Sequence, residues 1–409
     1  MMIRYEIKKI FSKKGSKAAM LFLVVAMAVT LYFAMNVSYV DEKGTSHKGK
    51  QAMAELRERQ KRWTGLLDEE KIQDVIRENR RIQNTPEAQS DENRKNNIAY
   101  GWRQGIQEIR ELLNKSYATD FREYDYYRAD SLTEEQAGTF YTNRVKLLKE
   151  WLTGEAKELF SSQEKEYLIE QYEQQKTPFF YDYMLGWTQI FEYAGTILMF
   201  FTLIACYLVS GIFSDEFRWK ADAVFFSSFY GRNRGVRAKI LAGVSVVTVL
   251  YFAVFLTYTA ILLWFFGRDG WNCPVQASLS GWKCFYHVTV GEQYLFILLG
   301  GYIGVLFFTS LAMFVSAKTR SAIPAVVVPF LFLLLPSFLS NFTYPFMQKF
   351  LGLLPEQLLQ VGETMKQFHL YTFGEHTVGS ISVLYVLYFL LTLLLLPIIY
   401  MIYKKKEIR

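Results

Sequence analysis

The sequence predicts an all-α membrane protein with six transmembrane helices and a large helical extracellular domain inserted between spans one and two. Apolar residues gather in long runs, whereas almost all of the charge lies between those runs. A helix that crosses a bilayer needs about 20 apolar residues, and a soluble core helix rarely has a run beyond about 14. The runs in this chain are of the longer kind, and Lys and Arg are concentrated in alternate loops.

Residues 1–17 are predicted to form an amphipathic helix in the membrane interface. Its apolar residues follow helical spacing and share one face: Ile3, Ile7, Ile10 and Phe11. Its lysines cover the rest: Lys8, Lys9, Lys13 and Lys14. A solvated basic tail is the alternative. The next apolar run, 18–40, exceeds the roughly 7–15 residues of a signal-peptide core, so we interpret it as the first span.

Residues 41–186 have a different composition, rich in Glu, Lys, Arg and Gln, with apolar residues at helical intervals. We expect an extracellular helical domain with a long-helix or partly coiled-coil character. Two Ser-x-x-Glu patterns, at Ser131–Glu134 and Ser161–Glu164, are typical of capping boxes that start helices.

Five further spans are predicted after this domain, at 187–213, 240–266, 294–317, 322–339 and 378–403. They are joined by a cytoplasmic loop at 214–239 and an external segment at 341–377, and a basic tail follows at 404–409. The fifth span contains Pro324, Pro329 and Pro336. Prolines break backbone hydrogen bonds, so neighbouring helices must shelter this span.

The distribution of Lys and Arg predicts the orientation. Six of these residues lie in 1–17 and six in 214–239, whereas 267–292 and 341–377 contain two each. With six spans, all the basic segments fall on one side. We therefore expect a multi-pass protein of the cell membrane with both termini in the cytoplasm.

Enzyme motifs are absent from the sequence. There is no GxxxxGK[ST] phosphate loop, no HExxH and no GxSxG, so we expect neither catalysis nor a cofactor. His369 and His376 share a loop with Glu363 and Glu375, which we interpret as surface residues and not as a metal site. The net charge of +7 sits beside the apolar runs, which argues against a nucleic-acid partner.

The loop 214–239 is predicted to contact a partner. A loop that only turned the chain would be short and polar, but this one starts with acids, has an aromatic middle and ends in a basic cluster. The residues expected to form the contact are Asp215, Glu216, Phe225, Phe226, Phe229, Arg232 and Arg234. The alternative is that the aromatic rings dip into the membrane interface.

Three smaller features have two interpretations each. Cys273 and Cys284 share one external loop, so we expect a disulfide, with two free thiols as the alternative. Gly300 and Gly304 form a GxxxG motif that permits close helix packing, either within the protomer or between protomers. Glu192 lies near the outer end of the second span, where a solvated position is favoured over a functional intramembrane acid.

These features together resemble the permease subunit of an ATP-binding-cassette exporter of the ABC type 2 class. The family's basic elbow helix is resembled by MIRYEIKKIFSKK, and a large insertion separates spans one and two. The family's acid-rich start, short helix and basic element before the third span are resembled by DEFRWKADAVFFSSFYGRNRGVRAK. The residues that fit that order are Asp215, Glu216, Ser228, Arg232, Arg234 and Lys239. The segment 341–377 resembles the family's re-entrant external segment.

The resemblance implies a half-transporter. Two such permeases, identical or not, would form a dimer around a central path in the lipid bilayer. A separate ATPase subunit would dock on the 214–239 loop and the elbow helix and would supply ATP hydrolysis. The cargo class implied is a peptide, an antibiotic or a lipid-like compound.

Two other classes compete with this interpretation. A membrane-anchored sensor or scaffold would use the extracellular domain to bind a ligand or partner. An ion-coupled secondary transporter usually shows inverted repeats and charged midplane residues. The sequence shows no internal repeat, and its spans are nearly free of charge.

Overall fold

The computed structural model describes residues 2–339 and 344–405. Three predicted segments therefore extend beyond the described residues: the first helix at position 1, the external segment at 341–343 and the basic tail at 406–409. In chain order the helices are α1 (Met2–Ser12), α2 (Lys14–Ala34), α3 (Lys50–Lys61), α4 (Glu69–Gln83), α5 (Asn93–Arg103), α6 (Gln107–Ser116), α7 (Phe140–Thr153), α8 (Ser162–Glu173), α9 (Leu185–Ser210), α10 (Asp215–Arg218), α11 (Asp222–Ser227), α12 (Val236–Phe266), α13 (Val290–Thr319), α14 (Ala322–Leu339), α15 (Pro345–Leu351), α16 (Val361–Thr364) and α17 (Ser380–Lys404). The strands are β1 (Ser38–Val40), β2 (Ser46–Lys48), β3 (Gly65–Leu66), β4 (Phe180–Tyr181), β5 (Leu370–Phe373) and β6 (His376–Gly379), paired as three antiparallel ladders, β1–β2, β3–β4 and β5–β6.

The structure confirms an α-helical membrane protein. Within the described residues, five helices are long and apolar enough to cross a bilayer: α2, α9, α12, α13 and α17. Helix α13 is central and packs against α9, α17, α14 and α12. Helix α14 is an apolar helix of 18 residues interrupted by Pro329 and Pro336, and it packs against α13 and α9. That α14 crosses as a sixth span stays a prediction.

The predicted first span, 18–40, is wrong at its end. Helix α2 stops at Ala34, and residues 38–40 pair with 46–48 as β1 and β2. The backbone N–H of Val40 donates to Gln104 Oε1 at 2.8 Å, and Tyr39 is only 2% exposed. The apolar residues after α2 are therefore buried by the inserted domain, and sequence hydropathy cannot distinguish that burial from burial in lipid.

A helical domain, α3 to α8, is inserted between α2 and α9. The capping box at Ser161 is confirmed, because Ser161 Oγ accepts from the N–H of Glu164 and Glu164 Oε2 accepts from the N–H of Ser161. The one predicted at Ser131 is wrong. Ser131 Oγ donates to the carbonyl of Arg128, and the capping box forms two residues later, at Thr133.

The inserted domain sits on the loop 267–289 that follows α12. Arg57 and Lys61 of α3 both form ion pairs with Asp269. Burial alone would raise the pKa of Asp269, but these two cations hold it below its ordinary value. Arg144 of α7 is buried and donates to the carbonyls of Trp282 and Cys284 at 3.0 and 3.2 Å. We call the end of the bundle that carries this domain the domain end.

The segment 355–364 enters the helix bundle from the domain end. The side chains of Leu358 and Val361 lie against Gly304 and Gly300, where an added Cβ would come within 2.9 and 2.5 Å of them. Gly304 is 14 residues into α13, or about 21 Å along its axis. The GxxxG motif therefore makes room for a re-entrant segment of the same chain.

Arg144 tests how the domain is attached. Arg144→Leu would leave two buried carbonyls with fewer donors and should weaken the contact by about 2–4 kcal/mol. We expect faster hydrogen–deuterium exchange in residues 267–289, measured by mass spectrometry. Lys146→Leu is the matched control, because its side chain on the same helix is 68% exposed. Equal exchange in the two variants would show that Arg144 does not hold the loop.

Candidate functional site

The strongest concentration of buried charge lies at the other end of the bundle, which we call the basic end. Its centre is Lys239 in the first turn of α12, whose side chain is fully buried. The Lys239 Nζ donates to Glu216 Oε1 at 2.6 Å, to Glu6 Oε2 at 3.2 Å and to the carbonyl of Ile212 at 3.0 Å. An ammonium has three protons, and here each has an acceptor.

Helix α1 supplies the second half of this cluster. Lys9 Nζ donates to Glu216 Oε1 at 2.6 Å, and Lys13 Nζ lies 2.5 Å from Asp215 Oδ2. Glu6 and Lys9 are three residues apart on α1, which places them on one helical face. Lys13 has an extended backbone and lies between the end of α1 and the start of α2. We call the six residues the ion cluster: Glu6, Lys9, Lys13, Asp215, Glu216 and Lys239. It contains three cations and three carboxylates, so its charges balance.

The Lys9–Glu216 pair of the ion cluster favours its charged form although it is largely shielded from water. Burial by itself would raise the pKa of Glu216, but Lys239 and Lys9 outweigh burial and lower it below the ordinary value. Burial would lower the pKa of Lys9, and Glu216 outweighs that to raise it. Both shifts favour the charged pair. Asp215 and Glu216 are both buried within this chain, so their side chains do not lie at its surface. Their role in coupling to a partner stays a prediction.

The three phenylalanines of the 214–239 loop have different environments. Phe226 is 3% exposed and packs against Phe217 and Tyr403, with ring centroids 6.0 and 5.3 Å apart. Phe225 is half-buried and lies over the Lys239 ammonium at 5.2 Å. Phe229 is 88% exposed. The expectation that all three rings face a partner is wrong for Phe226, because Tyr403 near the end of α17 packs against its ring.

The two arginines of the loop also differ. Arg232 donates to the carbonyls of Phe226 and Lys404 at 3.1 and 3.3 Å, so it ties the loop to the end of α17. Arg234 is exposed and lies over the Tyr230 ring at 4.4 Å. Arg234 can therefore meet a partner, whereas Arg232 is used inside the chain.

An exposed apolar surface remains on this loop after the chain has made its own contacts. We call it the apolar patch, and its members with their exposed fractions are Trp219 (54%), Val224 (73%), Phe229 (88%) and Tyr230 (46%). It flanks α10 and α11, next to the ion cluster. Phe229 was among the site residues predicted from the sequence, whereas Trp219, Val224 and Tyr230 were not. The sequence could have indicated them, since all three are large apolar or aromatic residues in a loop outside the spans.

Cys273 and Cys284 are free and buried, so the expected disulfide is not formed in this structure. Each backbone has its own partners: the carbonyl of Cys273 accepts from Val290, and that of Cys284 accepts from Arg144, Gln175 and Gln276. Burial raises the pKa of the Cys273 thiol to about 12 and that of Cys284 to about 11. Protonated thiols oxidise slowly.

The remaining sequence candidates lie apart from the ion cluster. His369 bonds to Gln367 Oε1 at 2.6 Å, and His376 is an exposed residue of β6. Among the described residues, no three His, Cys, Asp or Glu side chains come together in a way that could hold a metal ion. Glu192 is exposed on α9.

Lys239 tests the ion cluster. Lys239→Met would leave Glu216 and Glu6 buried without their main cation, and removing one partner of a buried pair costs about 3–5 kcal/mol. We expect a large drop in thermal unfolding midpoint for the detergent-purified chain. Adding Glu216→Gln should restore part of it. Lys8→Met, an exposed lysine of α1 that is not part of the ion cluster, is the control. An equal effect from both lysines would contradict this assignment.

Acid should weaken the same contact. Because the pKa of Glu216 is lower in the folded chain than its ordinary 4.5, the carboxylate contributes stability above pH 4.5 that is lost as pH falls through the folded pKa. Unfolding midpoints measured between pH 7 and pH 3 should therefore fall more steeply for the wild-type chain than for Glu216→Gln. Parallel curves would show that Glu216 does not titrate in this way.

Comparison with family models, with curated proteins and with solved structures finds no match to this chain. The resemblance described from the sequence therefore has no independent support from relatives.

Proposed function

We propose that this protein is the membrane-spanning permease subunit of an ABC transporter, an exporter of a peptide, antibiotic or lipid-like substrate driven by a separate ATPase subunit. One observation carries the proposal: an exposed apolar patch lies on a short helical loop that is fastened by buried ion pairs to the first helix and to α12. A surface that merely dipped into lipid would not need that fastening. An ATPase docking surface does, because force applied to it must reach the spans.

The connections of the loop support this role. Glu216 on α10 is held by Lys9 of α1 and Lys239 of α12, and it accepts a further bond from Tyr403 of α17 at 3.4 Å. A partner that moves α10 and α11 therefore moves three other helices. Breaking these charge contacts is costly in a buried site, so the unit should move as a rigid body.

The proposed orientation follows from the same geometry. Helix α1, the loop with α10 and α11, and the end of α17 share the basic end, and Arg320 lies over the Phe217 ring there at 4.7 Å. We place this end in the cytoplasm by the positive-inside rule, with the inserted domain outside the cell. A second permease subunit would complete the path by packing against the exposed apolar faces of the spans.

A second candidate is a membrane-anchored sensor or scaffold that binds a ligand through the inserted domain. The observation that favours it is a cavity between the inserted domain and the segment that precedes the last span. The two candidates differ at the basic end, because a scaffold has no need of an ATPase.

Substitution of Phe229 tests whether the ATPase subunit docks on the apolar patch. Burying one Phe side chain is worth about 1.5–3 kcal/mol, so Phe229→Asp should reduce the amount of ATPase subunit copurified per monodisperse permease by about tenfold or more. Folding should be unaffected, because the Phe229 side chain is 88% exposed. Tyr127→Asp, a 69% exposed aromatic of the inserted domain, is the matched control.

The membrane-dipping alternative predicts another pattern. Phe229→Asp would then lower recovery of the permease from the membrane and leave the ATPase bound per folded molecule at the wild-type level. An unchanged amount of ATPase bound per folded molecule would reject the apolar patch as the docking surface.

Orientation can be tested with two serine-to-cysteine variants. Ser131→Cys in the inserted domain and Ser227→Cys in α11 both place a thiol at an exposed position. The three native cysteines are buried, so the unmodified chain should react little. We expect an impermeant maleimide to label position 131 on intact cells and position 227 only after permeabilisation. Labelling of both on intact cells would overturn the proposed orientation.

A further inference from the structure

A cavity of about 620 Å³ lies between the inserted domain and the segment that precedes the last span. One wall consists of aromatic rings packed on each other. Phe121 stacks on Trp151 at 5.0 Å between centroids, and Phe160 and Phe368 lie 5.7 and 5.6 Å from Trp151. This wall offers an apolar, shaped surface of the kind that binds hydrocarbon or rings.

The cavity is also lined by cations. None of its lining residues among those described is acidic. Four basic side chains line it: Arg122, Lys283, Lys349 and Lys366. Two of them are neutralised from outside, because Lys349 pairs with Glu164 and Lys366 pairs with Glu363, both at 2.6 Å.

Arg122 and Lys283 have no such partner. Within 2–339 and 344–405, neither has a carboxylate within ion-pair distance; instead they lie over aromatic rings, Arg122 over Trp151 at 5.0 Å and Lys283 over Phe121 at 4.8 Å. Burial first, and then the nearby cations Lys115 and Arg122, lower the pKa of Lys283 to about 8, although Asp120 opposes them. A bound anion would oppose both effects and keep Lys283 protonated.

The cavity is also next to an apolar surface. Gln348 and Lys349 of α15 line it, and the same short helix carries Phe346, which is 78% exposed, and Phe350, which is 44% exposed. Tyr344 just before the helix is 72% exposed. Exposed aromatic residues beside a bundle of spanning helices are typical of the membrane interface. Helix α15 therefore contributes both to the cavity lining and to an exposed aromatic surface, from which a molecule with a hydrocarbon chain can approach the cavity.

We propose that this cavity binds an amphiphilic anion, with its phosphate or carboxylate between Arg122 and Lys283 and its hydrocarbon against Phe121, Trp151 and Phe368. An inorganic anion would use the cations but leave the aromatic wall in contact with water. A neutral amphiphile would bury the wall but leave two cations unpaired. Only a ligand with both parts satisfies the whole cavity. The proposal goes beyond the transport role and needs no ATPase, so it can fail or succeed separately.

The probe is octyl phosphate, measured by calorimetry against the full chain in nanodiscs of zwitterionic lipid. We expect saturable binding at least about tenfold tighter than that of inorganic phosphate or of octanol, which carry only one of the two parts. Arg122→Gln and Lys283→Gln should each weaken octyl phosphate binding by about tenfold, because each removes a charge-assisted bond. Phe368→Ala should weaken octyl phosphate and leave inorganic phosphate unchanged.

Lys95→Gln is the matched control, since this exposed lysine pairs with Glu92 and is not among the residues that line the cavity. Arg122 is exposed, so its variant remains informative if Lys283→Gln fails to fold. Equal affinity in wild type, Arg122→Gln and Lys95→Gln would overturn the proposal. So would equal affinity for octanol and octyl phosphate, which would indicate an apolar pocket without anion recognition.

Discussion

The architecture of the basic end depends on one buried ammonium. Lys239 lies at the start of α12 with no solvent exposure. Its ammonium group donates hydrogen bonds to Glu216, to Glu6 and to the carbonyl of Ile212. A charge that is out of water must have its partners in place, so this single side chain fixes where α1 and α10 lie relative to α12. Glu216 then extends the constraint to Lys9 and Tyr403.

This constraint explains why some side chains of the 214–239 loop face inward and others face outward. Residues that face inward, such as Phe226 and Arg232, close the loop against α17. Phe229 and Val224 are left outside. An outward apolar patch on a rigidly fastened loop is suited to transmitting movement from a bound subunit to the spans. At the other end, the inserted domain is held by Asp269 and Arg144, and a cationic, aromatic cavity lies where it meets the segment before α17.

Sequence patterns predicted some of these features and could not predict others. The long apolar runs indicated α2, α9, α12, α13 and α17, since length and hydropathy are local properties. The end of the first span was wrong because Tyr39 and Val40 are covered by the inserted domain, which hydropathy alone does not reveal. Asp215 and Glu216 were expected to contact a partner, because the cations that pair with them are distant in sequence. Lys239 is more than 20 residues away from Glu216, and Lys9 and Lys13 are about 200 residues away from the two acids. Phe226 and Phe229 differ only in which one meets Tyr403, a contact made from the far end of the chain.

The central claim is that the loop with α10 and α11 receives the ATPase subunit through its outward face. The most direct measurement is photo-crosslinking from a benzoyl-phenylalanine placed at position 229, with the same residue at position 127 as the reference, in membranes that contain both subunits. The account predicts a crosslink to the ATPase from 229 and none from 127. A crosslink to lipid alone from 229, or the same yield from both positions, would contradict it.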